Sequence, residues 1–426
     1  MIRRIQARNY CCLRYVDVSL DRFHVLVGPN ASGKSTLLDV VAFLGDMVSG
    51  GLEEAVEKRT RNFQDLVWRR PAGELGFELA VEFDIPGDVK GQLPGEKSFE
   101  LFRYEVAIRE DGDGIRIDSE RGLLMPRGVD RPRQEVLEFP APHDGPETIL
   151  VGGGRPRSRT ILSKSGSARD NFNVEVSERA GKGWATSISF GPVRSTLGNL
   201  PESPNRFPVS TRVKRLLETG LQRLFLDSAR MRRPSPPSRR REGFAPDGSN
   251  LPRVIRQLRE EKESVFKGWI AHVRAALPEI EDLRVVERED DRHCYLVLRY
   301  GTGVEVPSWR VSDGTLRLLA LTLPAYLLDS DKVYLMEEPE NGLHPGVMQD
   351  VYDALSSVYD SQVLLATHSP IFLSHADLEH VLCFAKDTEG ATDVIPARAH
   401  PGLRDWQGDP NLSVFFAAGV LGESRR

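Results

Sequence analysis

The residues best suited to chemistry form a nine-residue run, Gly28-Pro29-Asn30-Ala31-Ser32-Gly33-Lys34-Ser35-Thr36. An apolar run of strand length, Phe23 to Val27, precedes it, and an apolar helical face, Leu37 to Leu44, follows it. Strand, glycine loop and helix are the setting of a phosphate-binding loop. Gly28 and Gly33 let the backbone turn its N–H groups inward, and the helix N-terminus adds its positive end. Lys34 is placed for the β- and γ-phosphates of a nucleotide, and the Ser35 hydroxyl for Mg²⁺; Asn30, Ser32 and Thr36 complete the loop. A second set lies near the end of the chain. Glu337 closes the apolar run Val333-Tyr334-Leu335-Met336 and is placed to hold Mg²⁺ through water. Glu338, one residue on, is placed to polarise an attacking water. His368 follows the apolar run Val363 to Thr367 and is placed to sense a γ-phosphate by hydrogen bonding.

These groups need a sheet whose strands end side by side, because open α/β sheets bind ligands at the carboxyl ends of their strands. Along the chain, residues 2–20 read as a hairpin, and Phe77–Phe83 and Phe99–Val106 alternate as antiparallel strands with one face buried. Residues 111–210 read as an irregular β-rich insertion, with short strands at 147–151, 159–163 and 172–177. Leucines at helical spacing predict a helix over 211–226. The charged, proline-rich run 230–241 reads as an extended linker; its six arginines are either a solvated linker or a nucleic-acid surface. Asn250 reads as the N-cap of one helix to about residue 276, followed by strands at 282–287 and 293–300. Ser312-Asp313-Gly314-Thr315 opens a strongly apolar helix, Leu316 to Leu328, and Pro345 starts a helix to about 358. Trp406, Phe415 and Phe416 read as packing residues or a docking face.

At 426 residues the chain has room for about two or three domains. A net charge of −5 argues against a strongly basic nucleic-acid binder, so any such contact must be a local patch. Cys11, Cys12, Cys294 and Cys383 form no C-x-x-C pair, so neither a zinc site nor a disulfide framework is expected, and a reducing, cytoplasmic setting is. No secretory leader and no membrane-length apolar run is read from the sequence.

The four motifs, in order, resemble those of ABC-type ATPase heads of the SMC, RecF and OLD-like branch. Gly-Pro-Asn-Ala-Ser-Gly-Lys-Ser resembles its Walker A motif and Ser312-Asp313-Gly314-Thr315 its signature. Glu337-Glu338-Pro339-Glu340-Asn341-Gly342-Leu343-His344-Pro345 resembles Walker B with the D-loop, and Thr367-His368-Ser369-Pro370 the switch histidine. The likeness covers residues 1–45 and 307–375. It implies an α/β fold, an ABC-type P-loop ATPase head, with a β-rich and helical subdomain inserted. The expected division is 1–110, 111–306 and 307–426. The resemblance further implies ATP and Mg²⁺ as cofactors and a homodimer or higher homo-oligomer, its subunits head to tail so that Ser312 and Gly314 contact the partner's γ-phosphate. It makes Gln64 the candidate Q-loop residue and His344 a structural D-loop residue.

The departures are informative. The acidic pair is Glu-Glu rather than Asp-Glu, no long heptad region builds an SMC-like arm, and the segment after His368 is too short for the OLD-type Toprim nuclease. The expectation is therefore an ATPase working with a separately encoded effector, a nuclease, in anti-phage defence or genome maintenance. A RecF-like DNA-binding repair ATPase is the alternative; a transporter subunit is disfavoured by the signature.

Overall fold

A computed structural model describes residues 1–69, 75–93, 99–112, 114–127, 138–141, 145–151, 158–165, 169–176, 186–201, 203–238, 243–327, 331–403 and 411–421. In chain order the strands begin with β1 (Ile2–Tyr10), β2 (Leu13–Ser19), β3 (Phe23–Val27), β4 (Leu75–Asp84), β5 (Leu101–Asp111) and β6 (Gly114–Met125). Next are β7 (Arg159–Ser165), β8 (Asp170–Phe172), β9 (Thr186–Ile188), β10 (Leu221–Leu224), β11 (Ile280–Glu287) and β12 (Cys294–Tyr300). The last are β13 (Glu305–Pro307), β14 (Val333–Glu337), β15 (Gln362–Ala366), β16 (Val381–Lys386) and β17 (Thr392–Pro396).

One sheet runs β10-β14-β15-β3-β16-β17. All its pairings are parallel except the last. Its central strands are largely apolar and buried because both faces are covered. Leu26, Leu335 and Leu364 face the helix Lys34–Gly50; Val25, Met336 and Leu365 face the helices Leu251–Glu261, Glu263–Ala276, Asp313–Thr322 and Met348–Ser356. The helix Lys34–Gly50 is buried on most sides, since its far side meets a second sheet, where Phe43 packs edge-on against Tyr10 and Phe77. Gln362 ties the two sheets together: its side chain bonds both the N–H and the carbonyl of Ile2, at 3.0 and 2.8 Å.

That second sheet is antiparallel, in the order β2-β1-β4-β5-β6-β7-β8-β9. It runs through the boundary expected at 110/111: β5 and β6 pair Glu110 with Ile115, and β7 to β9 extend the same sheet. β11, β12 and β13 form a small antiparallel sheet apart.

Several sequence expectations change. β4 and β5 are buried on both faces, not one, because the helix Lys34–Gly50 covers one side and the segment 145–151 the other. That segment is held by side chains and is not a strand. β6 lies in the stretch read as an irregular β-rich insertion, ahead of the short strands expected there. The helix expected over 211–226 is Pro208–Arg215, closed by a wide turn at Leu216–Gly220, and the chain then becomes β10. Tertiary pairing overrides the helical spacing there, as Leu221–Leu224 pairs in parallel with Val333–Met336.

The single helix expected to 276 is two helices, broken at Lys262. Asn250 stands at the first N-cap, but its side chain bonds Ala245 and Gly243 instead of the helix. The helix after Ser312 ends at Thr322, where Pro324 tightens it into a short 3-10 turn; Leu328 lies outside the described residues. The arginine-rich run is pinned, not extended. Ser228–Met231 forms one helical turn and Ser235 pairs with Cys294; Arg239, Arg240 and Arg241 lie outside the described residues, as does Trp406.

Candidate nucleotide site

The glycine loop bends as a phosphate cradle must. Gly28 and Gly33 have φ of 153° and 103°, and Ala31 between them has φ of 60°. Space enforces the glycines as well as conformation. A Cβ on Gly28 would lie 2.2 Å from the Phe384 carbonyl oxygen, and one on Gly33 would lie 2.3 Å from Thr392 Oγ1. The loop thus rests on β16 and β17, and Thr392 Oγ1 donates to the Ser32 carbonyl at 2.9 Å. Ser32 is 1% exposed, and its Oγ has no hydrogen-bond partner. An orphaned hydroxyl inside an inward-turned loop suits a phosphate oxygen. Asn30 is exposed on the loop, and Thr36 Oγ1 accepts from Cys12 Sγ at 3.3 Å.

Lys34 is 5% exposed, and Nζ donates to the Gly28 and Pro29 carbonyls, both at 2.8 Å. Burial pushes its ammonium down to about 8, and Glu338 and Glu337 oppose that shift. Ser35 Oγ donates to Glu337 Oε2. Hydroxyl and carboxylate oxygens side by side are hard donors suited to Mg²⁺ completed by phosphate and water. Among the described residues, no group of three or more His, Cys, Asp or Glu side chains is placed to hold a metal without such help.

Glu338 leaves β14 with φ of 47°, a conformation that costs an L-residue and tends to persist where function requires it. Its N–H donates to the Ala366 carbonyl at 2.8 Å, and its carboxylate accepts from Asn341 Nδ2 at 2.6 Å. His368 Nε2 lies 4.0 Å from the same carboxylate. Burial and then the charge of Lys34 push His368 below its ordinary value, while Glu338 and Glu340 pull it up. The ring is therefore neutral near pH 7. Lys34, Ser35, Glu337, Glu338 and His368 thus share one edge of the parallel sheet.

Ser312 caps its own helix, accepting from Thr315 N at 3.2 Å, and Gly314 sits under the Gly342 carbonyl. Among the described residues neither bonds to the glycine loop of its own chain. Gln64 lies in a short 3-10 turn, Phe63–Leu66, and among the described residues makes no hydrogen bond to Ser35, Glu337 or Glu338. His344 caps the turn Pro345–Val347 through Gly346 N.

Residues 23–132 and 210–374, more than half of the chain, match the family described as "AAA domain, putative AbiEii toxin, Type IV TA system". The chain belongs to this AAA-domain family. The chain is also similar to a protein named OLD nuclease from Thermus scotoductus, with 26% identity over 126 residues, 28% of this chain and 20% of that protein. The match thus spans about a fifth of that relative's length. Two solved structures share its fold. A Smc head bound to the C-terminal winged-helix domain of ScpA aligns with TM-score 0.51 at 14% identity, over 92% of this chain and 97% of that one. A Smc head with an extended coiled coil, bound to the C-terminal domain of ScpA derived from Pyrococcus furiosus, aligns with TM-score 0.50 at 14% identity, over 92% and 95%. The expected α/β fold of an ABC-type ATPase head is therefore the observed one.

The AAA domain places four further residues that motif reading left without roles. Glu340 accepts from Thr367 Oγ1 at 2.6 Å and from the His368 N–H at 3.0 Å, fixing the backbone before the histidine. Asn341 orients Glu338. Both lie in the run after the acidic pair, where three polar side chains in five residues were the available signal. Arg223 reaches Glu337 from β10, and Arg232 binds the Val311 carbonyl at 3.0 Å and Asp313 at 2.6 Å. Arg230 pairs with Asp247 at 2.8 Å. Arg230 and Arg232 therefore serve local structure, which weakens the reading of 230–241 as a nucleic-acid patch. Among the described residues no helix is long and apolar enough to cross a membrane.

Proposed function

We propose that this chain binds and hydrolyses ATP, and that ATP closes two copies head to tail. The observation that carries this reading is the partition of the site. Phosphate loop, acidic pair and histidine lie at the ends of neighbouring strands, while Ser312 and Gly314 make no hydrogen bond to that loop and, in this reading, act on a second subunit's nucleotide. In this reading Lys34 exchanges two loop carbonyls for β- and γ-phosphate oxygens, and Ser32 Oγ gains its missing partner. Ser35 and Glu337 would hold Mg²⁺, which neutralises charge on the β- and γ-phosphates. Glu338 orients water for attack on the γ-phosphorus. The bond to the β–γ bridging oxygen breaks, the water's proton passes toward Glu338, and ADP and phosphate leave. Neutral His368 hydrogen-bonds the γ-phosphate, and Glu340 positions it.

Similarity to part of a protein named OLD nuclease supports control of a separately encoded nuclease by this ATPase cycle, in defence or genome maintenance.

A mixed-subunit assay tests the partition. Ser312→Arg spoils a site in the partner, and Lys34→Ala spoils the site in its own chain. Each protein alone is expected to be inactive. In a head-to-tail mixed dimer one composite site carries both defects and the other neither, so mixing should restore ATPase to about one working site per mixed dimer. No rescue, with both proteins folded, would reject the shared site; full activity of Ser312→Arg alone would reject the signature role.

A further inference from the structure

Arg223 belongs to none of the motifs, yet among the described residues it is the cation in ion-pair reach of the acidic pair, 3.5 Å from Glu337. β10 pairs in parallel with β14, and Arg223 stands opposite Leu335, two residues before Glu337. Side chains two apart share a face of a strand, so Arg223 projects on the same side as Glu337 and reaches along the sheet toward its end. Nη2 lies 3.5 Å from Glu337 Oε1, and Nη1 lies 3.6 Å from Asp39 Oδ1 on the helix that follows the phosphate loop.

The surrounding charges show which contact matters. Asp39 is already satisfied: Arg59 Nε and Nη2 each donate to it at 2.7 Å, and Tyr10 Oη donates at 2.6 Å. Lys34 is turned to the loop carbonyls. Among the described residues, Arg223 is therefore the one cation in ion-pair reach of Glu337. Glu337 itself is engaged on both oxygens, with Ser35 on one and Arg223 on the other. Its extra methylene, relative to the aspartate of the usual motif, lets it span that gap.

We propose that Arg223 is a positioning residue that stands in for the divalent cation when nucleotide is absent, pairing with Glu337 and withdrawing as Mg²⁺ arrives. This rests on the reading of Ser35 and Glu337 as the metal-holding pair. The side chain is half exposed, so the guanidinium has room to swing outward. Its positive charge beside the metal position opposes metal entry, which sets a threshold of Mg²⁺ concentration for tight nucleotide binding. The guanidinium does not contact phosphate in this scheme.

The experiment measures ATP affinity of the full chain by calorimetry across a range of Mg²⁺ concentrations and in EDTA, for wild type, Arg223→Gln and Arg223→Lys. For Arg223→Gln the midpoint of the Mg²⁺-dependent tightening should fall by about three- to tenfold, the size of a screened unit charge a few ångströms from a divalent ion. Arg223→Lys should stay within about twofold of wild type, as a surface point charge in the same place would. Affinity in EDTA should not change. An unmoved or raised midpoint in Arg223→Gln, while wild type depends on Mg²⁺, overturns the proposal alone. Loss of affinity in EDTA overturns it in favour of a phosphate contact. A wild type indifferent to Mg²⁺ removes the metal-holding pair and this proposal together.

Discussion

The two large sheets use the same ionisable side chains to opposite ends. In the antiparallel sheet Arg103 is 2% exposed and spends its guanidinium on Gln6 at 2.7 Å, Glu82 at 2.8 Å, Glu105 at 2.7 Å and the Ile149 carbonyl at 2.8 Å. Glu105 also accepts from the Val151 N–H, and Glu78 accepts from Thr148 and Ile149. Burial pushes the Glu105 carboxyl up, and Arg103 holds it down. Arg103 thus ties three strands together, and the bonds with Thr148, Ile149 and Val151 fasten the segment 145–151 onto the sheet. At the edge of the parallel sheet, Glu337 and Glu338 are 43% and 47% exposed and have few partners, and Lys34 bonds only to carbonyls of its own loop. Charges that are buried and fully paired lock a shape. Charges left under-coordinated at the ends of strands are available to a charged ligand.

That contrast can be broken from either side. The largest effect should come from the exposed set. Glu338→Gln keeps size and hydrogen bonding but removes the base, so steady-state ATP hydrolysis should fall by about 10²–10⁴-fold with ATP affinity retained. A variant with unaltered turnover would take Glu338 out of the reaction. In the buried set, Arg103→Ala leaves Glu82 and Glu105 with only the longer contacts to Arg4 and Arg121, at 3.7 and 3.9 Å, at a cost of about 3–5 kcal/mol in denaturant unfolding. Its ATP affinity under native conditions should match wild type. A loss of affinity without a loss of stability would mean that the two sheets are not separable in this way.

A smaller effect concerns Lys34 and pH. In the free protein its ammonium is pushed down to about 8 from an ordinary value of 10.5. Below about pH 8 it is charged and ready for phosphate. Above that, ATP affinity should decline, by at most about tenfold per pH unit, because each binding event must recover the proton. Folding stability takes the opposite sign. From about pH 8 to 10.5 the unfolded chain holds a proton the folded chain has released, so this one group raises stability as pH climbs. Calorimetric titrations at several pH values check the first statement, with Lys34→Met as the reference for the second. A flat affinity profile from pH 7 to 10 would show that Lys34 keeps its proton in the free protein.

How far the sequence reached depends on how local the information was. The phosphate loop, the acidic pair and His368 were legible because each is a strand end and a turn within about ten residues. The order of residue types already dictates such a turn, and Gly28 and Gly33 turn out to be required by both φ and space. The apolar runs of β3, β14 and β15 were equally legible, since a strand covered on both faces has no polar alternation to hide it.

What the sequence could not decide was which distant segments become neighbours. Leu221–Leu224 continues a helical spacing of leucines and becomes a strand because the edge of β14 is open to pair with it. That pairing alone brings Arg223 to Glu337, a contact across more than a hundred residues that no local pattern announces. In the same way Arg103 reads as an outward residue of an alternating strand until the segment 145–151 covers that face and makes it a buried hub. Gln64 lies in a turn outside the parallel sheet, whereas sheet order puts β10 beside β14. Residue types, turns and apolar runs act over one or two turns of chain, so the sequence by itself determined the chemistry on offer. Sheet order acts over hundreds of residues through burial and strand pairing, so only the tertiary structure decided which charges meet at the site and which are locked away from it.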